Sequence, residues 1–92
     1  MTAEHQTTTY LVECFWPGIS PATLAETETR LAAAAATQRR RGGCVRYLGS
    51  IFVPADESVF CLFDGLETDV RTVSERAGIP FGRVLEAVRG GL

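Results

Sequence analysis

The chain has 92 residues, of which 46% are hydrophobic and 22% charged, and its nine arginines against eleven acidic residues give a net charge of −2. This composition is typical of one globular domain. It excludes a wholly disordered chain, and no apolar run approaches the ~18 residues of a membrane helix. Because nucleic-acid-binding modules present a net basic surface, the acidic balance also argues against a nucleic-acid partner.

The three cysteines indicate the cellular compartment in which the protein works. Cys14, Cys44 and Cys61 make an odd count without C-x-x-C spacing, and the first residues show no basic segment followed by an apolar one, as an export signal would. Free thiols persist where the surroundings are reducing. The sequence therefore predicts a cytoplasmic protein with reduced cysteines and no membrane partner.

The first part of the chain predicts one strand and one long helix. Residues 1–6 show no strand or helix pattern and are expected to form a disordered tail. Residues 7–16 (TTTYLVECFW) are rich in β-branched and aromatic side chains, which favours a strand. Ser20 and Pro21 are typical of the start of a helix, and strong helix formers continue to residue 38.

The arginines that follow this helix have a structural explanation. Residues 39–41 are all arginine, and glycines occupy positions 42 and 43. Cations stabilise the negative end of the helix dipole, and glycine commonly ends a helix. The run is therefore accounted for without a polyanionic partner.

The second part of the chain predicts three more strands and a shorter helix. Strands are expected at 44–53 and 59–64 around a polar hairpin loop at 54–58, and the helix at 67–77. Residues 83–88 (RVLEAV) favour a fourth strand, with a helical turn as the alternative. Residues 90–92 are expected to be a frayed end.

This βαββαβ order predicts one α+β domain over residues 7–89, with a ferredoxin-like antiparallel sheet of four strands and two helices on one face. The first strand is apolar on both faces, since Val12 and Cys14 alternate with Leu11 and Phe15. The face without helices therefore needs a cover, which in so short a chain must come from a second copy. We expect a homodimer that joins the two open sheet faces.

Parts of the sequence are distinctive enough to compare with a known family. They are the segments TTYLVECFWPG, VRYLGSIFVPADESVFCLF and VSERAGIPFGRVLEAV, most specifically FCL and the ERAG-x-P helix end. In these segments the chain resembles a family of small ferredoxin-like proteins of unassigned function, whose few named members are called nickel-binding proteins. The resemblance implies a ferredoxin-like dimer, and it makes nickel or another transition metal an alternative ligand.

The chain departs from this family where metal-binding members carry histidine, which is near the end of the first strand, within the first helix and around the ERAG segment. At these places the sequence has Glu13, no His between residues 20 and 41, and Ser74 and Ile79, while its one His, His5, lies in the expected tail. Nickel favours imidazole or thiolate ligands. The resemblance therefore carries over no metal-binding residue, and no cofactor is expected.

Glu13 is the most informative candidate for a functional residue, because it interrupts an apolar strand between Leu11 and Phe15. A buried carboxylate needs a partner or a proton. One interpretation makes Glu13 a general base or ligand anchor in a pocket between the sheets of the dimer. The other makes it a structural ion pair with Arg46 or Arg83, or places it nearer the rim of the sheet.

Arg46 and Ser50 are expected on one face of the second strand, where they would orient an anionic or carbonyl oxygen beside Glu13. The alternative is an edge strand with polar residues toward solvent. Tyr47 is expected on the opposite face, as a proton donor or as part of the core.

Further candidates are side chains suited to an apolar ligand pocket. Phe15, Trp16 and Phe52 are aromatic, Cys61 is expected next to Cys14 on a neighbouring strand, and Glu86 lies in the last strand. Each has packing in the core or exposure to solvent as its alternative.

Three functions are compatible with these observations. The first is a small-molecule-binding protein or cofactor-free enzyme with a mostly apolar pocket centred on Glu13, between the sheets of a dimer. The second, implied by the resemblance, is nickel or other transition-metal binding. The third is a non-catalytic dimerisation or sensory module, whose interior would hold no ligand cavity.

Overall fold

The chain forms four strands and two helices in βαββαβ order. The computed structural model describes residues 8–91. Its elements are β1 (Thr8–Phe15), α1 (Pro21–Arg40), β2 (Val45–Val53), β3 (Ser58–Gly65), α2 (Glu67–Ala77) and β4 (Phe81–Ala87), with a 3-10 turn, Pro54–Asp56, between β2 and β3. The predicted tail at 1–6 lies outside the described residues, as does Leu92, and Gly90 and Gly91 have no regular structure.

The four strands form one antiparallel sheet in the order β2-β3-β1-β4. β1 and β3 are central, and β2 and β4 are the edges. This is the ferredoxin-like arrangement, and the predicted fold is confirmed. Residues 83–88, for which a helical turn was the alternative, belong largely to the edge strand β4.

Both helices cover the same face of the sheet. On β1 the side chains of Val12 and Cys14 are wholly buried, and Leu31 of α1 is enclosed beside them. The buried set continues on β3 and α2 with Val59, Cys61, Phe63, Val70 and Val73. Burying each large side chain stabilises the fold by about 1.5–3 kcal/mol. The sequence left open which face of β1 meets the helices, and these residues settle it.

The long helix begins where the sequence predicts. The Ser20 hydroxyl accepts a hydrogen bond from the Thr23 amide at 3.1 Å, and Pro21 occupies the first turn. At the other end Arg39 and Arg40 lie in the last turn, and Gly42 adopts a φ of +89°. Because this left-handed conformation favours glycine, α1 ends here and the chain turns into β2. Neither α1 nor α2 is long and apolar enough to cross a membrane.

A β-bulge interrupts the pairing of β2 with β3. Tyr47 lies opposite Phe63 and Gly49 lies opposite Leu62, so Leu48 has no partner of its own. Paired residues in a sheet project from the same face. The extra residue therefore reverses the alternation of β2 from this point onward.

Candidate functional site

The bulge corrects the expectation that Arg46 and Ser50 share a face. Arg46 pairs with Asp64, on the face without helices, whereas Ser50 pairs with the buried Cys61 on the helix-covered face. Strict alternation would have put both residues on one side. Since Leu48 is inserted between them, that prediction is wrong, and Tyr47 and Ser50 instead lie together.

The residues predicted for one pocket around Glu13 are thus divided by the sheet. Glu13, Phe15 and Arg46 project from the open face, by which we mean the face without helices. The remaining candidates pair with helix-facing residues or pack against the core: Trp16, Tyr47, Ser50, Phe52, Cys61 and Glu86. A single protomer therefore does not gather them into a common site.

Glu13 is held in an ion pair. The Arg83 Nε donates to Glu13 Oε1 at 2.6 Å, and the two residues lie directly opposite each other on β1 and β4. The carboxylate retains 29% exposure and the guanidinium side chain 65%. The alternative of an ion pair with Arg83 is confirmed. A carboxylate satisfied in this way is better suited to anchor a polar group than to act as a free general base.

Apolar side chains surround this ion pair on the open face. The strand register places six of them there: Leu11, Phe15, Ile51, Phe60, Leu62 and Leu85. Phe15 is 62% exposed and Ile51 55%, both high for large apolar residues. Monomeric proteins seldom expose a contiguous apolar patch of this kind without a use for it.

A second set of charges at one end of the open face is also paired within the chain. Asp64 accepts hydrogen bonds from the Thr9 hydroxyl at 2.7 Å and from Arg89 at 2.8 Å. Because Glu13 and Asp64 both have partners, the two carboxylates place no unpaired negative charge on this apolar surface. Burial of the open face would therefore leave neither carboxylate without a partner.

A polar network lies on the other side of the sheet, under α1. The Tyr47 hydroxyl donates to Glu28 Oε2 at 3.2 Å and also bonds to Ser50 Oγ, and Ser50 donates to Cys61 Sγ at 3.5 Å. Burial raises the pKa of Tyr47 above its usual range, against a smaller opposing effect of the Ser50 hydrogen bond. Tyr47 is thus held neutral and positions Ser50.

The buried thiols are parts of the core. Cys14 and Cys61 are free and wholly enclosed, on the neighbouring strands predicted for them. The hydrogen bond with Cys61, and then burial, raise the pKa of the Cys14 thiol above its usual range. The raised pKa keeps the Cys14 thiol neutral and therefore unreactive, and Cys61, which is wholly enclosed, cannot touch a ligand in this conformation.

The aromatic candidates occupy different places. Trp16 and Phe52 line a cleft of about 310 Å³ beside Ile19 and the hairpin turn. Phe15, adjacent in sequence, is on the open face instead. Glu86 is exposed on the edge strand opposite Tyr10 and contributes to neither group.

Sequence reasoning missed a larger cleft, of about 690 Å³, at the start of β2. It lies between the end of α1 and the edge of the sheet, and three arginines line it: Arg39, Arg46 and Arg89. The Arg run was explained by the helix dipole alone. A signal for the cleft was present, because the glycine turn at 42–43 returns the chain so that Arg46 meets the end of the helix.

No group of three His, Cys, Asp or Glu side chains within residues 8–91 is arranged to hold a metal ion. His5 lies outside that range. No geometry in the described part of the chain therefore supports the metal-binding alternative.

Comparisons with known proteins give a likeness of fold. No family model matches the chain, and no curated protein matches it either. Among solved structures, the crystal structure of SCO4226 from Streptomyces coelicolor A3(2) superposes with a TM-score of 0.73 at 20% sequence identity, covering 90% of this chain and 99% of that one. At this identity the likeness shows the ferredoxin-like fold alone.

Proposed function

We propose that this protein binds a small organic molecule as a homodimer, in a mostly apolar site between two open sheet faces with the Glu13–Arg83 pair at its centre. The observation that supports it most is the open face itself. It is apolar, two of its six large apolar side chains, Phe15 and Ile51, are exposed in the protomer, and its two carboxylates are paired within the chain.

The size of the face suits a second copy of the chain. Four strands about 4.8 Å apart, each of about eight residues rising about 3.3 Å, span roughly 500 Å² in projection. Side-chain relief raises the accessible area toward the ~800 Å² per partner of a standard stable interface. A two-fold axis would bring each face onto its identical partner, as closed dimers require.

Covering the face would change the chemistry of the ion pair. Its attraction strengthens when water is excluded, and a lone polar group of a ligand would gain from the same low dielectric. Arg83 directs its Nε at Glu13, and its remaining N–H groups suit a carbonyl or carboxylate oxygen. Phe15 and its apolar neighbours would hold the rest of the molecule.

This arrangement favours binding over catalysis. A cofactor-free enzyme with Glu13 as its base would have to take the proton on Oε2, since Oε1 accepts the hydrogen bond from Arg83. A non-catalytic dimerisation module would use the same interface without a ligand. Nickel binding, as the resemblance implied, would have to use residues outside 8–91 or ligands from two copies.

Native mass spectrometry of tag-free, reduced protein tests the proposal. We expect a dimer that carries a co-purified organic molecule. The variant Ile51→Glu places a charge on the open face at a side chain that is already 55% exposed, so it should become monomeric while remaining folded. Val88→Glu is the matched control, since Val88 is 94% exposed outside the strands and should stay dimeric.

The outcomes separate the candidate functions. A wild-type monomer would overturn the proposal. A dimer whose crystal structure shows solid packing between the sheets would favour the dimerisation module. Calorimetric titration with Ni²⁺ that gives micromolar affinity, abolished by changing His5 or Cys44, would favour the metal-binding alternative.

A further inference from the structure

The cleft at the start of β2 has a charge opposite to that of the whole chain. Its charged lining consists of Arg39, Arg46 and Arg89 against one carboxylate, Asp64, although the chain carries a net charge of −2. Arg89 is paired with Asp64. The cleft therefore has an excess of two positive charges, on Arg39 and Arg46.

These two arginines lack an acidic partner among residues 8–91. Arg39 donates from Nη1 to the Val45 carbonyl at 3.0 Å, which orients its guanidinium without neutralising it. Arg46 makes no ion pair or side-chain hydrogen bond within the described residues. Most of the N–H donors of the two guanidinium groups are therefore available to bind a ligand.

The same two arginines line two cavities. Arg39 and Arg46 line the 690 Å³ cleft and, together with Tyr47 and two alanines of α1, a smaller neighbouring cavity of about 300 Å³. An oxyanion that bound both guanidinium groups would gain charge-assisted hydrogen bonds and would offset the repulsion between the two like charges. The rest of the cleft wall includes Leu48, an apolar side chain that is 37% exposed, and the largely buried Val45.

We infer that this cleft is a binding site for a small organic anion, whose carboxylate or phosphate group is held by Arg39 and Arg46 and whose apolar part lies on Leu48. The volume of the cleft is within the range of ordinary ligand sites. The planar guanidinium group of arginine binds carboxylate and phosphate groups equally well, so an experiment has to decide which of the two groups the ligand carries.

The test titrates three probes with the same ring into ¹⁵N-labelled protein at constant ionic strength: phenyl phosphate, benzoate and neutral benzamide. The Nε–Hε signals of Arg39 and Arg46 are followed by NMR. We expect saturable shifts with at least one anion and none with benzamide, and the tighter of the two anions identifies the headgroup. Absence of saturation with both anions up to 20 mM, or equal shifts with benzamide, would overturn the inference.

Variants locate the site. Arg46→Gln should weaken binding of the preferred anion by about tenfold or more, because the charge-assisted hydrogen bonds of the guanidinium group are lost. Arg76→Gln removes an exposed arginine from the last turn of α2, away from the cleft, and should leave the affinity within about twofold. Equal losses in the two variants would show only general charge attraction and would contradict a specific site.

This inference does not require the proposed dimer, and the shared residues Arg46, Asp64 and Arg89 make the comparison with a monomeric variant informative. The monomeric variant Ile51→Glu retains every residue that lines the cleft and should bind the anion as the wild type does. If that variant is monomeric and folded yet has lost the anion, then the site needs a second copy, and its assignment to the residues of one chain is wrong.

Discussion

Arg83 directs its Nε at Glu13 Oε1 from the facing position on β4, at 2.6 Å, and so places an ion pair between two strands on a surface that is otherwise apolar. In one protomer the pair is partly solvated, since the Arg83 side chain is 65% exposed. Exposed pairs of this kind contribute little to folding. Its position would matter far more if a second sheet excluded water from it.

A double-mutant cycle on dimer dissociation shows whether the Glu13–Arg83 pair stays solvated or is buried in a dimer interface. Glu13→Gln and Arg83→Gln are each expected to raise the dissociation constant by about tenfold or more, because either change leaves the other charge unpaired in the interface. The double variant should lose much less than the product of the two single effects. Sedimentation at several concentrations gives the constants. Strictly multiplicative effects would show that the two side chains do not interact in the dimer, and unchanged constants in both single variants would place the pair outside the interface.

Much of the fold could be predicted because its signals are local and agree with one another. Ser20 and Pro21 start α1, Gly42 ends it, and β-branched runs mark the strands. The order of elements then leaves few arrangements of the sheet. The pairing of Glu13 with Arg83 was also within reach, since adjacent strands carry opposite charges at facing positions.

The candidate site was less predictable because one extra residue reverses a face. Leu48 carries no sequence feature that marks a bulge. Gly49 adopts a φ of +145° in the structure, but in the sequence it cannot be distinguished from an ordinary glycine within a strand. Sequence alternation alone therefore placed Ser50 beside Arg46. The arginine cleft was missed for a different reason, because the stabilising effect of Arg39 on its own helix was a sufficient explanation.

Gly65 allows β2 to begin close to β3. Its φ is +152°, and a Cβ there would overlap the Cys44 carbonyl oxygen and lie 2.8 Å from the Cα of Val45. Gly65→Ala should lower the free energy of unfolding by about 3 kcal/mol, through backbone strain and overpacking. In Gly82→Ala the new Cβ would meet only the Glu13 carbonyl oxygen, at 4.0 Å, so this control should lose less than about 1 kcal/mol in urea denaturation. Equal losses would contradict the close approach.

Leu31 is the large side chain through which α1 enters the core, and it is wholly buried. Leu31→Ala should destabilise the protein by about 2–5 kcal/mol, since it removes buried apolar surface and leaves a cavity. Leu48→Ala deletes the same atoms from the bulge, where the residue is 37% exposed, and should cost less than about 1 kcal/mol. Urea unfolding monitored by far-UV circular dichroism compares the two.

Because of Tyr47, we expect the free energy of unfolding to fall at alkaline pH. Burial raises the pKa of the folded Tyr47 phenol above the ~10 of an unfolded chain. Between these two values the unfolded state has lost the proton that the folded state keeps. Stability is therefore undiminished below pH ~10 and falls as the pH rises from there toward the folded pKa.

Two substitutions separate this effect from the hydrogen bonds of the network. Tyr47→Phe removes the titrating group together with its bonds to Glu28 and Ser50, so it should cost about 1–2 kcal/mol at pH 7 and then show a shallower decline above pH ~10. Ser50→Ala removes one partner but leaves the phenol buried, and it should keep the decline of the wild type. Urea midpoints at pH 8, 9, 10 and 10.5 measure both slopes. A wild-type slope in Tyr47→Phe would assign the alkaline loss to other groups, among them the buried Cys14 thiol, whose pKa is also raised.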